Sequence, residues 1–168
     1  MRTRVLSAGI VFSIVLVALS GCWSFSAEDK AIAHISAEVT KIKDGFSKEV
    51  ERTSPGSQLN FENVPVHDLR SLTDEETRRV GWPVSGFYEF DSDQGGFDLT
   101  IVVVGIGNEG GFSNADRTYY SCLRLEAVPG SAEIDVVDLD CPTSLLEQFS
   151  VLGTPVRSSQ LDLEDHPV

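Results

Sequence analysis

Basic residues are scarce in this chain. Its 168 residues include 13 lysines and arginines against 26 aspartates and glutamates, which gives a formal net charge of −13. So negative a surface repels phosphate backbones and anionic lipid headgroups, because both carry the same sign of charge. The composition argues against nucleic acid as a partner and favours a protein or a cationic ligand.

Recognisable catalytic motifs are also missing. The sequence contains no Gly-x-Ser-x-Gly, His-Glu-x-x-His, phosphate-binding loop or Cys-x-x-Cys pattern. Only His34, His67 and His166 could exchange protons near neutral pH, and each stands alone in the sequence. Acidic pairs such as Asp138 and Asp140 are expected from composition alone and do not identify a glycosidase dyad. No catalytic residue and no cofactor is therefore predicted.

Long apolar runs are confined to the N-terminus. Arg2 and Arg4 precede Val5–Leu19, an apolar stretch interrupted only by small residues, and this order is typical of an export signal. An uncleaved membrane helix is the alternative, since about 20 apolar residues span a bilayer. The serines and glycines within the stretch disfavour that alternative.

The run ends in Leu19-Ser20-Gly21-Cys22, which resembles the lipobox of bacterial lipoproteins. The resemblance implies a signal peptide at residues 1–21, a diacylglyceryl group on Cys22 and a location on the outer face of the cell membrane. Two acyl chains hold firmly, since each buried methylene contributes about 0.8 kcal/mol. Loss of Arg2 and Arg4 leaves 11 basic residues, so the mature net charge is 11 minus 26, or −15.

Only three cysteines are present, so lipidation of Cys22 leaves Cys122 and Cys141 as a pair. In an oxidising compartment this pair is expected to form a disulfide. A zinc site is the alternative, but two thiols without a nearby histidine or second cysteine pair do not complete a tetrahedral shell.

A long amphipathic helix is predicted after the signal. Ser26 and Asp29 match a capping box, the reciprocal pairing of a helix cap with the third helical residue. Gly45 is expected to end or bend the helix, because glycine costs up to about 1 kcal/mol relative to alanine. A coiled-coil seam is the alternative, but fewer than three heptads favours packing on a sheet. The apolar residues recur at helical spacing and share one face: Ile32, Ile35, Val39, Ile42, Phe46 and Val50.

Two β-hairpins are predicted in the second half of the chain. The predicted strands are rich in aromatic and β-branched residues: Gly86–Phe90, Phe97–Val104, Thr118–Ala127 and Glu133–Leu139. A turn centred between Ser131 and Ala132 would place residues whose numbers sum to 263 opposite one another. Cys122 and Cys141 satisfy that sum and would then be direct strand partners.

The predicted fold class is α+β, with the long N-terminal helix packed on a four-stranded, mostly antiparallel sheet with short helices and one disulfide. One short helix is expected from Thr73 to near Gly81, and another is capped by Thr143 or Ser144. The expected organisation is a signal at 1–21, a tether at 22–26, a single domain at 27–157 and a disordered acidic tail at 158–168.

Two glycine-containing segments imitate ligand-binding motifs. Residues 105–110 spell the dinucleotide fingerprint G-x-G-x-x-G, but the residues after them favour a strand rather than the helix that the chemistry needs, so a connecting loop is expected. Asp91, Asp93 and Asp98 are weak candidates for a calcium site. The bidentate glutamate that a complete loop requires is replaced by Val102, which favours a solvated turn and no metal.

The mature chain also resembles small actinobacterial lipoproteins of uncharacterised role at Tyr119-Tyr120-Ser121-Cys122 and Asp140-Cys141-Pro142. The resemblance covers about 25 residues and implies no activity. We therefore expect a non-enzymatic, lipid-anchored binding or accessory module of the cell envelope. An envelope hydrolase with carboxylates that converge only in three dimensions, and a surface inhibitor or immunity lipoprotein, are the alternatives.

Overall fold

The structure, a computed structural model, describes residues 26–54, 57–70, 85–92, 95–108, 116–148 and 153–163. They form an α+β fold in which one long helix packs on a sheet of six strands. The predicted signal segment with Cys22, the predicted short helix at 73–81 and residues 164–168 lie outside these ranges. Within the described residues, no helix has the length and apolar character needed to cross a membrane.

Helix α1 spans Ala27–Arg52 and begins with the capping box that the sequence predicts. The Ser26 hydroxyl accepts from the Asp29 amide at 3.1 Å, and the Asp29 carboxylate accepts from the Ser26 amide at 3.0 Å. Hydrogen bonds from Ser26 lower the pKa of Asp29, because they stabilise its charged form. The helix does not end at Gly45 but continues to Arg52, and a Cβ at Gly45 would lie 2.6 Å from Pro65, so glycine lets this loop approach.

The sheet is larger than expected and mixed, with the strand order β1-β2-β3-β4-β5 and β6 beside β4. Neighbouring strands from β2 to β5 are antiparallel, whereas β1 runs parallel to β2 and β6 parallel to β4. The four-stranded prediction missed β1 and β6 because two-residue strands are too short to show alternation. The bounds are β1 His67–Asp68, β2 Gly86–Ser92, β3 Phe97–Asn108, β4 Asp116–Ala127, β5 Ile134–Leu139 and β6 Thr154–Pro155.

The main core lies between α1 and one face of the sheet. Five of the six residues in the predicted helix stripe are wholly buried there, and Ile32 packs partly buried against them. A bulge between Phe87 and Glu89 lets both Phe87 and Phe90 join this core, although strict alternation would place residues three apart on opposite faces. The sheet contributes inward-facing residues from two central strands: Phe97, Leu99, Ile101, Val103, Leu123 and Leu125.

The first four residues of the fingerprint segment are strand rather than loop, because β3 continues to Asn108. Gly105 and Gly107 face α1, where the helix backbone almost touches the strand. A Cβ on Gly105 would lie 2.5 Å from the Ala31 carbonyl oxygen, and one on Gly107 would overlap the Ala27 carbonyl. These glycines permit close packing of helix on strand, and this is a structural role instead of a phosphate-binding one.

We call the sheet surface turned away from α1 the open face. One half of it, the apolar half, is a small second core made of Leu69, Val102, Val104, Cys122 and Leu145. The short helix α2, Thr143–Gln148, supplies Leu145 and lies where a short helix was predicted, but Thr143 is its first residue and not the cap before it. Burial raises the pKa of Tyr88, which packs against this half, to about 12, and the Glu89 charge adds to the shift.

The disulfide between Cys122 and Cys141 is present, with the two Cα atoms 5.3 Å apart. The predicted register is wrong by two residues, because Cys122 pairs with Leu139 and the paired numbers sum to 261. The strand register is therefore centred between Gly130 and Ser131. Within the connection, the Ser131 amide donates to the Val128 carbonyl, which closes a β-turn with Pro129 and Gly130 at its centre, and Gly130 adopts a positive φ of 80°. Cys141 therefore follows the end of β5 and is not a direct strand partner of Cys122.

Part of the segment assigned to the disordered tail is folded. Ser158–Gln160 forms a 3₁₀ turn, Leu161 is buried in the main core, and the amide of Asp162 donates to Ser36 on α1 at 3.1 Å. The Ser158 amide and hydroxyl both donate to the Asp138 carboxylate of β5, at 2.7 and 2.8 Å. The packed structure thus extends past residue 157 to at least Leu163, which contacts the same core.

Candidate functional site: a row of carboxylates across the sheet

Four carboxylates share one register position on the open face. Asp91 of β2 pairs with Asp98 of β3, Asp98 pairs with Glu126 of β4, and Glu126 pairs with Asp135 of β5. Directly opposed residues of neighbouring strands point to the same face of a sheet. We call these four residues the acidic row. It crosses four strands and spans about 14 Å, since adjacent strands lie about 4.8 Å apart.

The acidic row lines a cavity of about 350 Å³ at one end of the sheet. The next position toward the turns contributes Gly96, Val128 and Glu133, which line the same cavity. Glu133 adds a fifth carboxylate, whereas Gly96 adds no side chain, and a Cβ there would lie 2.8 Å from the Ala127 carbonyl oxygen. Val128 is 61% exposed. Among the described residues it is the more exposed of two large apolar side chains that face solvent, the other being Ile106 at 40%. The cavity thus combines carboxylates with one apolar contact.

Arg124 lies beside the row on the same strand as Glu126. Its Nε stands 2.8 Å from Glu126 Oε1, an ion pair that lacks good hydrogen-bond geometry for the N–H. Both side chains are 38% exposed, so solvent screens the pair and it contributes little to stability. Arg124 thus partly neutralises Glu126.

The row lies at the end of the domain opposite to the start of α1. Ala27 and Ala31 of α1 lie over Gly107 and Gly105 near the end of β3, whereas Ser47 donates to the Ala132 carbonyl in the β4–β5 turn at 2.8 Å. The helix therefore runs from the far end of the sheet toward the row. From Asn108 to Asp98 strand β3 alone covers about 33 Å, at about 3.3 Å per residue.

The weak calcium candidates are only partly brought together. Asp91 and Asp98 are cross-strand neighbours, while Asp93 lies outside the described residues. Among the residues that the structure describes, no group of three or more histidine, cysteine, aspartate or glutamate side chains is arranged to hold a metal ion. The acidic row is thus spread out along a line, and its members are not gathered around a point.

The described histidines lie on separate elements. His34 is exposed on α1 and His67 is exposed on β1, while His166 lies outside the described residues. Asp68, next to His67, instead accepts two hydrogen bonds from the Arg70 guanidinium, at 3.0 and 2.7 Å. That contact is the main cause that lowers the pKa of Asp68, because it stabilises the carboxylate.

Sequence reasoning found Asp91 and Asp98 but missed Glu126, Glu133 and Asp135. Each of the three alternates with apolar residues in a predicted strand, so its solvent-facing side was readable. Their alignment was not, because it depends on the registers of three strand pairs. The two-residue error in the β4–β5 register would have placed Glu126 opposite Val137 instead of Asp135.

Comparisons with known proteins add no relative to this description. No protein-family model, no curated protein and no solved structure matches the chain.

Proposed function

We propose that this chain is a non-enzymatic binding or accessory module, lipid-anchored through Cys22 on the outer face of the cell membrane, that binds a cationic partner with its acidic row. The observation that carries the proposal is the alignment of four carboxylates across four adjacent strands on an accessible surface. A cationic partner is the complement of such a surface.

The energetics of the sheet support a binding role for the row. Like charges directly opposite one another destabilise a sheet by amounts that reach about 1 kcal/mol per pair. The row contains three such juxtapositions in succession. A cationic partner would neutralise these charges and so offset the cost in stability, which explains why the fold keeps the row.

The placement of the row supports an anchored module. Helix α1 begins at Ala27, only five residues after Cys22, so an anchor there holds the start of the helix close to the membrane. With the helix axis normal to the membrane, the row would lie about 30 Å farther out, on the basis of the strand length between the two ends. This arrangement separates the carboxylates from anionic headgroups by several Debye lengths at physiological salt.

The test is cross-linking of the lipidated protein on intact cells, followed by mass spectrometry of the captured proteins. Cys22→Ala is the unanchored control, and Asp91→Asn with Asp135→Asn is the variant of the row. We expect one abundant basic partner that is lost from both. Capture that is unchanged in the row variant would contradict a role for the row, and detergent-phase partitioning that survives Cys22→Ala would contradict the anchor.

A further inference from the structure

We infer that the outer edge of strand β5 binds an extended segment of a partner protein, which joins the sheet as a further strand and places a basic residue opposite Asp135. The inference goes beyond the proposed function, because it stands on the backbone of β5 and holds whatever the acidic row binds. It follows from the place of β5 in the sheet and from the direction of its backbone N–H and C=O groups.

The two edges of the sheet differ in length. Strand β1 forms one edge with two residues, whereas β5 forms the other with six, which extend over about 17 Å. Proteins usually protect an edge strand from pairing by keeping it short or by placing lysine, proline or a bulge in it. Strand β5 contains neither lysine nor proline, and its register with β4 is continuous. Only β5 is therefore long enough to pair with another chain.

The hydrogen bonds of β4 show which way the backbone of β5 faces. In antiparallel strands the N–H and C=O of one residue point to the same side, and successive residues alternate. The Tyr120 carbonyl accepts from the Val156 amide at 2.8 Å, so Tyr120 faces away from β3. Two residues later, Cys122 faces the same way, toward β5. Its partner Leu139 must then face β4.

Alternate residues of β5 consequently leave their backbone groups unpaired. Val137 faces β4 as Leu139 does, whereas Ile134, Val136 and Asp138 direct their N–H and C=O groups to the outer edge. Within the described part of the chain, none of these six groups takes part in a hydrogen bond. Val136 and Asp138 are partly exposed, so this edge contacts solvent. Donors and acceptors that alternate at strand spacing are the complement of an extended polypeptide.

The side chains beside the edge indicate the composition of the partner segment. Asp135 is exposed and has no hydrogen bond or ion pair with any described residue. Opposite charges at directly opposed positions stabilise a sheet and like charges destabilise it, so a basic residue is favoured opposite Asp135. Val137 is partly exposed on the same face and favours an apolar residue two positions away. A second copy of this chain is disfavoured, because its net charge of −13 repels another copy.

Amide hydrogen exchange of the full-length protein, followed by NMR, tests whether the edge is free. The amides of Val136 and Asp138 should exchange about tenfold or more faster than those of Val137 and Leu139, which are bonded to β4 and serve as controls in the same strand. A partner strand should slow exchange at Val136 and Asp138 alone. Equally slow exchange at all four amides of the free protein would overturn the inference, because the edge would already be paired.

A synthetic peptide then tests binding, measured by fluorescence anisotropy. The probe has nine residues, with valine and threonine alternating on either side of a central lysine. Its control has the same sequence and charge but carries N-methyl groups on alternate residues, which remove the donors that face β5. We expect the probe to bind about tenfold more tightly than the control, since each lost hydrogen bond costs about 1 kcal/mol. Equal binding of the two peptides would overturn strand addition.

Matched variants locate the peptide on β5. Val136→Pro removes one N–H from the outer edge and spares the bonds to β4, so it should weaken binding about tenfold, whereas Val136→Thr keeps the N–H and should leave binding unchanged. Asp135→Asn should weaken binding about threefold, and Asp91→Asn, which removes the same charge from β2, should not. Peptide binding that ignores Val136→Pro would overturn the site, and equal losses in the two aspartate variants would overturn the pairing with Asp135.

Discussion

The two halves of the open face use the same strands in opposite ways. At one end Val102, Val104 and Cys122 are buried under Leu69 and Leu145, and the disulfide fixes the chain beside them. At the other end the same strands carry Asp98, Glu126 and their neighbours around an accessible cavity. One half adds to stability through burial, and the other gives some of it up to keep charges exposed. The comparison shows how a single sheet can separate support from binding.

The largest effect is expected where the disulfide holds the apolar half. Replacing both Cys122 and Cys141 with alanine should lower the free energy of unfolding by about 3 kcal/mol, because the bond restricts the unfolded chain over a separation of 19 residues. Urea unfolding with and without a reductant measures this loss in the free energy of unfolding. Wild-type protein should lose stability in the reductant while the variant does not; equal midpoints of oxidised wild type and variant would contradict this.

A matched pair of apolar truncations compares the two halves directly. Leu145→Ala in the apolar half should cost about 2 kcal/mol, since it removes buried methyl groups and leaves a cavity. Val128→Ala beside the acidic row should change stability by less than about 0.5 kcal/mol, because Val128 is already solvated. Thermal unfolding of both proteins gives the difference. Similar losses at the two sites would show that the acidic half also contributes a core.

Neutralising the ends of the row should raise stability while it lowers binding. Asp91→Asn with Asp135→Asn removes two like-charge juxtapositions and should add about 0.5 kcal/mol at low ionic strength. Asparagine keeps the oxygen that accepts from the Ser92 amide at 2.8 Å, so the local turn is preserved. Urea unfolding at two salt concentrations checks this, and the gain should shrink in high salt. A loss of stability would show that the row supports the fold.

The smallest effect concerns the ion pair beside β1. Arg70 lowers the folded-state pKa of Asp68 from its ordinary value of 3.8, so the stabilisation is present above pH 3.8 and is lost as the pH falls through the lower folded value. Because both side chains are about 40% exposed, Arg70→Gln should cost only a few tenths of a kcal/mol at pH 7. Unfolding measured from pH 7 to pH 2 should show the two proteins converging at the acidic end.

The sequence predicted structure most accurately where the signal lies in a local pattern of residues. The Ser26 and Asp29 capping box and the apolar stripe located α1 because both depend on residues within a few positions of one another. The strand cores of both hairpins were found for the same reason. The prediction at Gly45 was wrong because the cost of glycine in an isolated helix is outweighed by packing. The loop prediction at Gly105 and Gly107 was wrong because their role depends on Ala31 and Ala27, which lie 74 and 80 residues earlier in the sequence.

Features that depend on register and on distant pairing could not be read from the chain. The disulfide prediction holds although the register behind it was wrong, since the count of cysteines was enough to pair them. The alignment of the acidic row cannot be inferred from a residue count. Asp91 and Asp135 are far apart in sequence, and only the turn at Gly130 and two further strand pairings bring them onto one line.

The close packing of α1 on β3 also has a mechanical consequence. The helix lies along the strand in the opposite direction, and its first turns almost touch the strand backbone at Gly105 and Gly107. A pull transmitted from the proposed anchor at Cys22 to Ser26 and directed along the helix axis would load the buried contacts from Ala31 to Val50 together, in shear. Such loading resists extraction far better than peeling contacts apart one at a time, so the element nearest the membrane is also suited to bear tension.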